Sequence, residues 1–381
     1  MLKKFTVINY KNFKEEISVD FSHIAGYQFS SDCIYDGLIS KMLIYGRNAT
    51  GKTNLGKALM DIRSIVFKTP QNDGVLLNAD SKKTAAVFIY EFIFDGQKLL
   101  YQYERLSNLE LQREKLVIDN QIIFDCDFVQ KNFNFDNLKF IGAETANIER
   151  YKQSLEEGEM EDIIELRLPF LRWLISNVAL RKDSILLNLS SYVKRMSVIS
   201  TSDIIRSQSN KVYDIFFESL ERSSRLKDLE DFLNSMGIKC RLALKKLPDG
   251  QRELYFSHEK LIPFFETASS GTLALFDLYR RLIPLVQTPS FIYLDEFDAF
   301  YHYEMAENVI KFFKRKYPKC QIIMTSHNTN LMTNRLMRPD CLFILSGLGT
   351  LTALCDATGR ELREGHNLEK MYISGEFELY E

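Results

Sequence analysis

The chain has 381 residues, of which 45% are hydrophobic and 26% charged, with a formal net charge of −2. That profile belongs to a folded protein of one large domain or two to three smaller ones, and it excludes a wholesale nucleic-acid coat while leaving room for local basic patches. Six cysteines (Cys33, Cys126, Cys240, Cys320, Cys341 and Cys355) lack any C-x-x-C spacing, and no signal-peptide pattern opens the sequence. Reduced, mostly buried thiols in a cytoplasmic protein are expected.

Residues 2 to 13 start with strand-like alternation and reach a turn near Asn9. Lys11 and Lys14 fit a solvated face or a DNA-facing surface, and solvation is the default. Met42 to Tyr45 is a short apolar run that predicts a buried strand. Gly46 to Thr53, Gly-Arg-Asn-Ala-Thr-Gly-Lys-Thr, then fills the pattern G-x-x-x-x-G-K-[ST] completely. From Asn54 onward, Leu55, Ala58, Leu59, Ile62, Ile65 and Val66 recur at helical spacing. Strand, glycine loop and helix form the context in which this pattern binds phosphate. Gly46 and Gly51 let the backbone wrap closely, so that successive N–H groups point inward, and the helix N-terminus adds positive potential. Lys52 would reach the β- and γ-phosphates and the Thr53 hydroxyl would face Mg²⁺. An ordinary glycine turn is the plain alternative. The stretch 68 to 83 is polar, holds Pro70 and Gly74, and reads as loop.

Ala86 to Phe94 is rich in β-branched and aromatic residues, Asp95-Gly96 follows, and a second run passes through Leu99, Tyr101 and Tyr103. This is a hairpin pattern, and Lys115 to Asp119 and Gln121 to Phe124 add two short strands. An antiparallel sheet beside the nucleotide core is expected. Its aromatics suit a sheet core better than a base-stacking platform.

Between about 144 and 236 the pattern turns helical. Glu156 to Glu165 is acidic and Arg181 to Lys211 is basic, while Leu168 to Leu180 is a core helix too short and too interrupted by Arg172 to span a bilayer. No heptad repeat is sustained, so a compact helical insertion is expected rather than a coiled-coil arm. Its charged blocks read as solvated helix faces or as a partner surface. Pro248-Asp249-Gly250 marks a further hairpin between Lys239 to Lys246 and Arg252 to Phe256.

Phe291 to Glu296, Phe-Ile-Tyr-Leu-Asp-Glu, is a buried strand ending in two acids. Unpaired interior carboxylates cost several kcal/mol, so the pair needs a reason. Mg²⁺ held by Asp295 and a water nucleophile deprotonated by Glu296 supply it. Gln321 to Met324 is another apolar run, followed by Thr325-Ser326-His327-Asn328, which places His327 just past a strand end and within reach of a γ-phosphate. Glu266 to Thr272 offers hydroxyls and Gly271 at the start of a helix, either a second anion site or a plain helix cap.

Phosphate loop, Ser-Ser-Gly-Thr, hydrophobic-Asp-Glu and Thr-Ser-His-Asn follow one another in an order that resembles the ABC-type ATPases of the branch related to SMC, RecF and OLD-family proteins. Ile8-Asn9-Tyr10-Lys11-Asn12-Phe13, Tyr45-Gly46-Arg47-Asn48 and Gly51-Lys52-Thr53-Asn54 resemble that branch too. The tail from Asn367 to Phe377 is similar to the end of a bacterial subgroup of ATP-binding proteins from abortive-infection systems. The resemblance implies an α/β ABC-type P-loop ATPase head with an antiparallel β flank and a helical insertion. Its segments are 1–143, an N-terminal lobe; 144–236, the insertion; and 237–381, a C-terminal lobe.

It further implies ATP and Mg²⁺ as cofactors, with Gly46, Asn48, Gly51, Lys52, Thr53 and Asn54 around the nucleotide. Thr53 and Asp295 would hold the metal, with Glu296 as base and His327 as switch. Ser269 and Gly271 would reach the γ-phosphate held by a second copy, and Asp298 would lie in the subunit-bridging loop. A homodimer or higher homo-oligomer closed by ATP follows. Ala268, Ser270 and Thr272 depart from the usual signature, and neither Gln71 nor Gln102 clearly supplies the usual Mg²⁺-coordinating glutamine.

For the cellular role the resemblance suggests the sensor of an anti-phage system, of which the PARIS type is one arrangement, with a separate nuclease or toxin encoded nearby. A RecF-like repair clamp is the alternative, and a nuclease in its own right a remoter one, since no metal-ligand cluster beyond Asp295 and Glu296 is visible. The weak net charge favours a protein partner over extended DNA contact, and no membrane contact is expected.

Overall fold

In the computed structural model, which describes residues 1–67, 75–108, 110–160, 168–200, 216–221, 225–282 and 288–381 (backbone alone at 157–160), two large sheets meet over one helix. Strands β1 (Leu2–Ile8), β2 (Ile17–Asp20), β3 (Ile34–Tyr35), β4 (Leu38–Ile39) and β5 (Lys41–Tyr45) lead to helix α1 (Lys52–Phe67). Then come β6 (Ala86–Phe94), β7 (Gln97–Arg105), β8 (Leu111–Ile118), β9 (Gln121–Asp127) and β10 (Asn132–Asn134). Helices α2 (Ile148–Met160), α3 (Phe170–Asn177) and α4 (Ile185–Lys194) precede β11 (Met196–Ser200) and α5 (Leu226–Ser235). The small sheet β12 (Leu242–Lys246), β13 (Arg252–Ser257) and β14 (Leu261–Pro263) follows, then α6 (Phe264–Thr267) and α7 (Ser270–Leu282). The chain closes with β15 (Phe291–Asp295), α8 (Tyr303–Lys316), β16 (Gln321–Ser326), β17 (Leu342–Leu345), β18 (Leu351–Ala353) and α9 (Leu368–Ile373).

The first sheet has the order β11-β15-β16-β5-β17-β18 and is parallel except for its last pair. Every residue of β5, β15, β16 and β17 is buried, which explains why these strands read as unbroken apolar runs. Because β5, β15 and β16 run the same way, the loops that follow them gather at one edge.

The second sheet, β10-β9-β8-β7-β6-β1-β2, is antiparallel. Asp95 and Gly96 close its first hairpin with φ of 50° and 83°, and Asp119 and Asn120 close the next with 46° and 69°. Paired positive values are what a two-residue hairpin turn demands. One face of this sheet is packed with Phe88, Tyr90, Phe92, Tyr101 and Tyr103, all buried and stacked on one another, so these rings are core.

Helix α1 touches both sheets. On one side Tyr90 donates its hydroxyl to Ala58 O at 2.8 Å, and Tyr103 donates to Asp61 Oδ2 at 2.7 Å. On another, Gly56 lies against Tyr293 of β15, where an added Cβ would come within 2.4 Å of the ring. Only glycine permits that approach.

The stretch read as a helical insertion is not purely helical. Its strand β11 pairs in parallel with β15, from Met196 opposite Phe291 to Ser200 opposite Asp295, and so forms the edge of the parallel sheet. Five residues at a sheet edge carry too little alternation to stand out beside the helices before them. Glu114 of β8 accepts from the backbone N–H groups of Phe170 and Leu171 and caps α3, and Arg172 of α3 donates to Ile65 O at 2.6 Å near the end of α1. The charged blocks extend beyond the described residues at 161–165 and at 201–211, and Gln71 also lies outside them. No helix among the described residues is long and apolar enough to cross a membrane. All six cysteines are free.

Candidate functional site

The site is built on the loop between β5 and α1. Ala49 and Gly51 take φ of 65° and 105°, which turns the loop back toward the helix start. A side chain at residue 51 would also displace Asn12, because a Cβ there would fall 2.2 Å from Asn12 Nδ2. At Gly46 a Cβ would meet Thr50 Oγ1 at 2.7 Å. Asn12 donates to Thr50 O at 3.1 Å and accepts from Asn54 Nδ2 at 2.7 Å, so the opening segment braces the loop. Lys52 Nζ folds over the loop and donates to Gly46 O at 2.6 Å and Arg47 O at 3.0 Å. Burial lowers its pKa, opposed by the charges of Glu296, Asp295 and Asp298.

Those three acids come from the end of β15 and the turn behind it. Asp295 Oδ2 accepts from the Thr53 hydroxyl at 2.7 Å, and Oδ1 accepts from the Thr325 hydroxyl at 3.0 Å. Burial raises the Asp295 pKa, while the two hydroxyls pull it back. A hydroxyl and a carboxylate oxygen side by side are hard donors of the kind that Mg²⁺ takes. Glu296 is half-buried and has φ of 48°, an uncommon conformation for a residue with a side chain and one that concentrates at functional sites. Asp298 is buried and accepts from the Ser326 hydroxyl at 2.7 Å; burial raises its pKa as well. His327 is exposed past the end of β16, where it interacts electrostatically with Asp298. The fold thus brings Lys52, Thr53, Asp295, Glu296, Asp298 and His327 to one sheet edge, with Gly46, Asn48, Gly51 and Asn54 in the adjoining loop and first helical turn.

Ser269 and Gly271 stand apart from this group. Ser269 Oγ accepts from the Thr272 N–H at 3.2 Å and caps α7, while its residue stays exposed. Gly271 is buried against the loop after Glu296, where a Cβ would meet Phe300 O at 2.9 Å. Among the described residues no hydrogen bond joins either of them to the phosphate loop. Gln102 lies mid-strand in β7, opposite Ile89 and Lys115, with no hydrogen bond to the site among the described residues.

Sequence reasoning missed several contributors. Asn12 and Tyr293, whose hydroxyl donates to Lys52 O at 2.5 Å, lie within stretches the sequence marks, but their roles as braces of the loop arise from contacts across the chain. Arg47 pairs with Glu381, and the ring of Tyr372 stands edge-on to Tyr45 at 4.7 Å, so the tail docks beside the phosphate loop. Far from this edge in sequence, His23, Cys355 and Asp356 also come together, a cluster that the sequence did not reveal; His23 Nε2 and Asp356 pair at 2.9 Å.

A family model described as "AAA domain, putative AbiEii toxin, Type IV TA system" matches residues 41–333. Among curated proteins, none matches the chain. Among solved structures, an SMC head bound to the C-winged helix domain of ScpA is similar at 13% identity and TM-score 0.52, covering 92% of this chain and 96% of that one. The SMC head domain of Thermotoga maritima is 13% identical with TM-score 0.46, covering 92% and 98%. An SMC head with an extended coiled coil, bound to the C-terminal domain of ScpA from Pyrococcus furiosus, is 15% identical with TM-score 0.46, covering 99% of each chain. The first of these likenesses establishes the fold as that of a P-loop ATPase head with an antiparallel flank.

Proposed function

Because the chain belongs to this AAA-domain family of ATPases, whose model spans residues 41–333, we propose that it binds ATP with Mg²⁺, closes into a homodimer around the nucleotide and hydrolyses it. The observation that carries this reading is the convergence of the Thr53 hydroxyl with Asp295, beside Lys52 and Glu296, at the end of the parallel sheet. The loop amides of Gly46 to Thr53 would cradle the phosphates, with Asn48 and Asn54 bordering them. Lys52 would leave its carbonyl partners for the β- and γ-oxygens. Thr53 and Asp295 would hold Mg²⁺, which when bound supplies charge neutralisation at the phosphates. Glu296 would take the proton of the attacking water, and His327 would donate to the γ-phosphate. Ser269 and Gly271 would present the α7 N-terminus to the nucleotide of a second copy, next to the Asp298 loop.

In the cell this ATPase would regulate a separate toxic effector in an anti-phage system, in keeping with the toxin system that the family description mentions. The segment 144–236 would hold the partner surface and the flanking lobes 1–143 and 237–381 the ATPase. Co-purification with the product of the neighbouring gene tests that part; ATP-dependent capture of DNA in its place would favour a RecF-like clamp.

Glu296→Gln tests the chemistry. Hydrolysis should fall by about 10²- to 10⁴-fold, the usual contribution of a general base, while ATP binding persists and dimers accumulate. Turnover at the wild-type rate in this variant would remove Glu296 from the role of base.

A further inference from the structure

One residue holds both members of the Asp295-Glu296 pair, and it is neither a phosphate-loop nor a carboxylate residue. Thr325, the fifth residue of β16, is fully buried. Its hydroxyl accepts from the Glu296 N–H at 2.8 Å and donates to Asp295 Oδ1 at 3.0 Å. Its carbonyl accepts from the Phe297 N–H at 3.2 Å. The peptide groups on both sides of the Glu296 Cα are therefore tied to the same residue. Glu296 meanwhile sits at φ of 48°, which a glutamate does not adopt without support.

We infer that Thr325 is the positioning residue of this site: its hydroxyl locks Glu296 in the left-handed conformation that aims the carboxylate at the attacking water. The inference rests on the reading of Glu296 as base. A hydroxyl has one proton. Because its oxygen already accepts from the Glu296 N–H, that proton is directed to Asp295 Oδ1. This leaves Oδ2, the oxygen beside Thr53, as the one turned to the metal position. One hydroxyl thereby fixes the backbone of the base and chooses which oxygen of the neighbouring aspartate faces the ligand. Valine has the same shape and can do neither, because it leaves a buried N–H without a partner.

The test compares Thr325→Val, Thr325→Ser and Thr325→Ala with the wild type, with and without Glu296→Gln, in steady-state ATP hydrolysis, fluorescent-nucleotide binding and thermal melting. Serine keeps the hydroxyl and should retain most of the activity. Valine and alanine should lower kcat by about 10- to 100-fold, the range seen when outer supports of a reactive group are removed, with KM and nucleotide affinity within about threefold. In the Glu296→Gln background the valine substitution should cost much less than in the wild type, since the base it positions is already gone and only its hold on Asp295 remains. Should the valine variant melt early, the serine and alanine pair carries the comparison. Wild-type kcat in both hydroxyl-free variants overturns the inference alone, as does a further loss of the same size in the Glu296→Gln background. A wild-type chain that binds ATP but never hydrolyses it overturns the reading of Glu296 as base, and this inference with it.

Discussion

Two buried aspartates, alike in residue type and different in what surrounds them, show how a structural carboxylate differs from one at the site. Asp61, inside α1, is fully buried and meets Arg105 Nη1 at 2.6 Å and the Tyr103 hydroxyl at 2.7 Å. Its charge is matched within the chain, so nothing is left for a ligand to do. Asp295, at the end of β15, is buried almost as deeply but meets two hydroxyls, and no Lys or Arg salt bridge reaches it among the described residues. Burial without a direct ion-pair partner is costly, and a protein keeps such a group where a ligand completes it. Counting the charges that the fold itself satisfies tells the two apart.

Breaking each aspartate in turn gives the largest contrast. Asp61→Asn should strand the Arg105 charge in the interior and cost about 3–5 kcal/mol of stability, read as a lower melting temperature. Asp295→Asn should leave stability unchanged or raise it, because burial already disfavours the charged form there, while hydrolysis is lost. A severe loss of stability in Asp295→Asn would erase the distinction.

Lys52→Ala comes next. Removing a buried cation from an anion cradle should cost about 2–5 kcal/mol of ATP affinity, measured by equilibrium binding of labelled nucleotide. Unchanged binding would turn the loop back into an ordinary glycine turn.

Ser269→Asp sharpens the comparison at the second anion site. Aspartate caps a helix as well as serine does, so α7 and the melting temperature should be kept. A carboxylate facing a γ-phosphate across an interface costs several kcal/mol, so ATP-dependent dimerisation should vanish while the single head still binds nucleotide. Light scattering with and without ATP decides it. Gly271 is the poorer place for this test, since any side chain there strikes Phe300 O.

The smallest effect belongs to Glu114, a buried carboxylate of the structural kind. Burial pushes its pKa up from 4.5 to about 7, opposed by the Tyr101 hydroxyl and the N–H groups of Leu171 and Phe170. A folded-state value above the unfolded one means that the folded chain holds the extra proton between those limits. Stability from this group is therefore complete below about pH 4.5 and is lost as the pH rises toward 7. The swing should be between about 1 and 3 kcal/mol, and Glu114→Gln should flatten it in melting curves across that pH range. An unaltered pH dependence in Glu114→Gln would assign the slope to other groups.

Much of this was legible in the chain itself. The phosphate loop, the Asp-Glu strand end and the Asp95-Gly96 hairpin are local: glycine at a positive φ, apolar runs and turn residues act within a few positions, so their pattern is written in order along the sequence. What only the tertiary structure decided is how distant residues complete one another. That β11 joins the parallel sheet, that Asn12 braces Gly51, and that Thr325 clamps Glu296 depend on strand order and register, which no short stretch encodes. A hydroxyl at position 325 looks like any other threonine until β15 and β16 lie side by side, because hydrogen bonds are satisfied between neighbours in space, and sequence order does not say who those neighbours are.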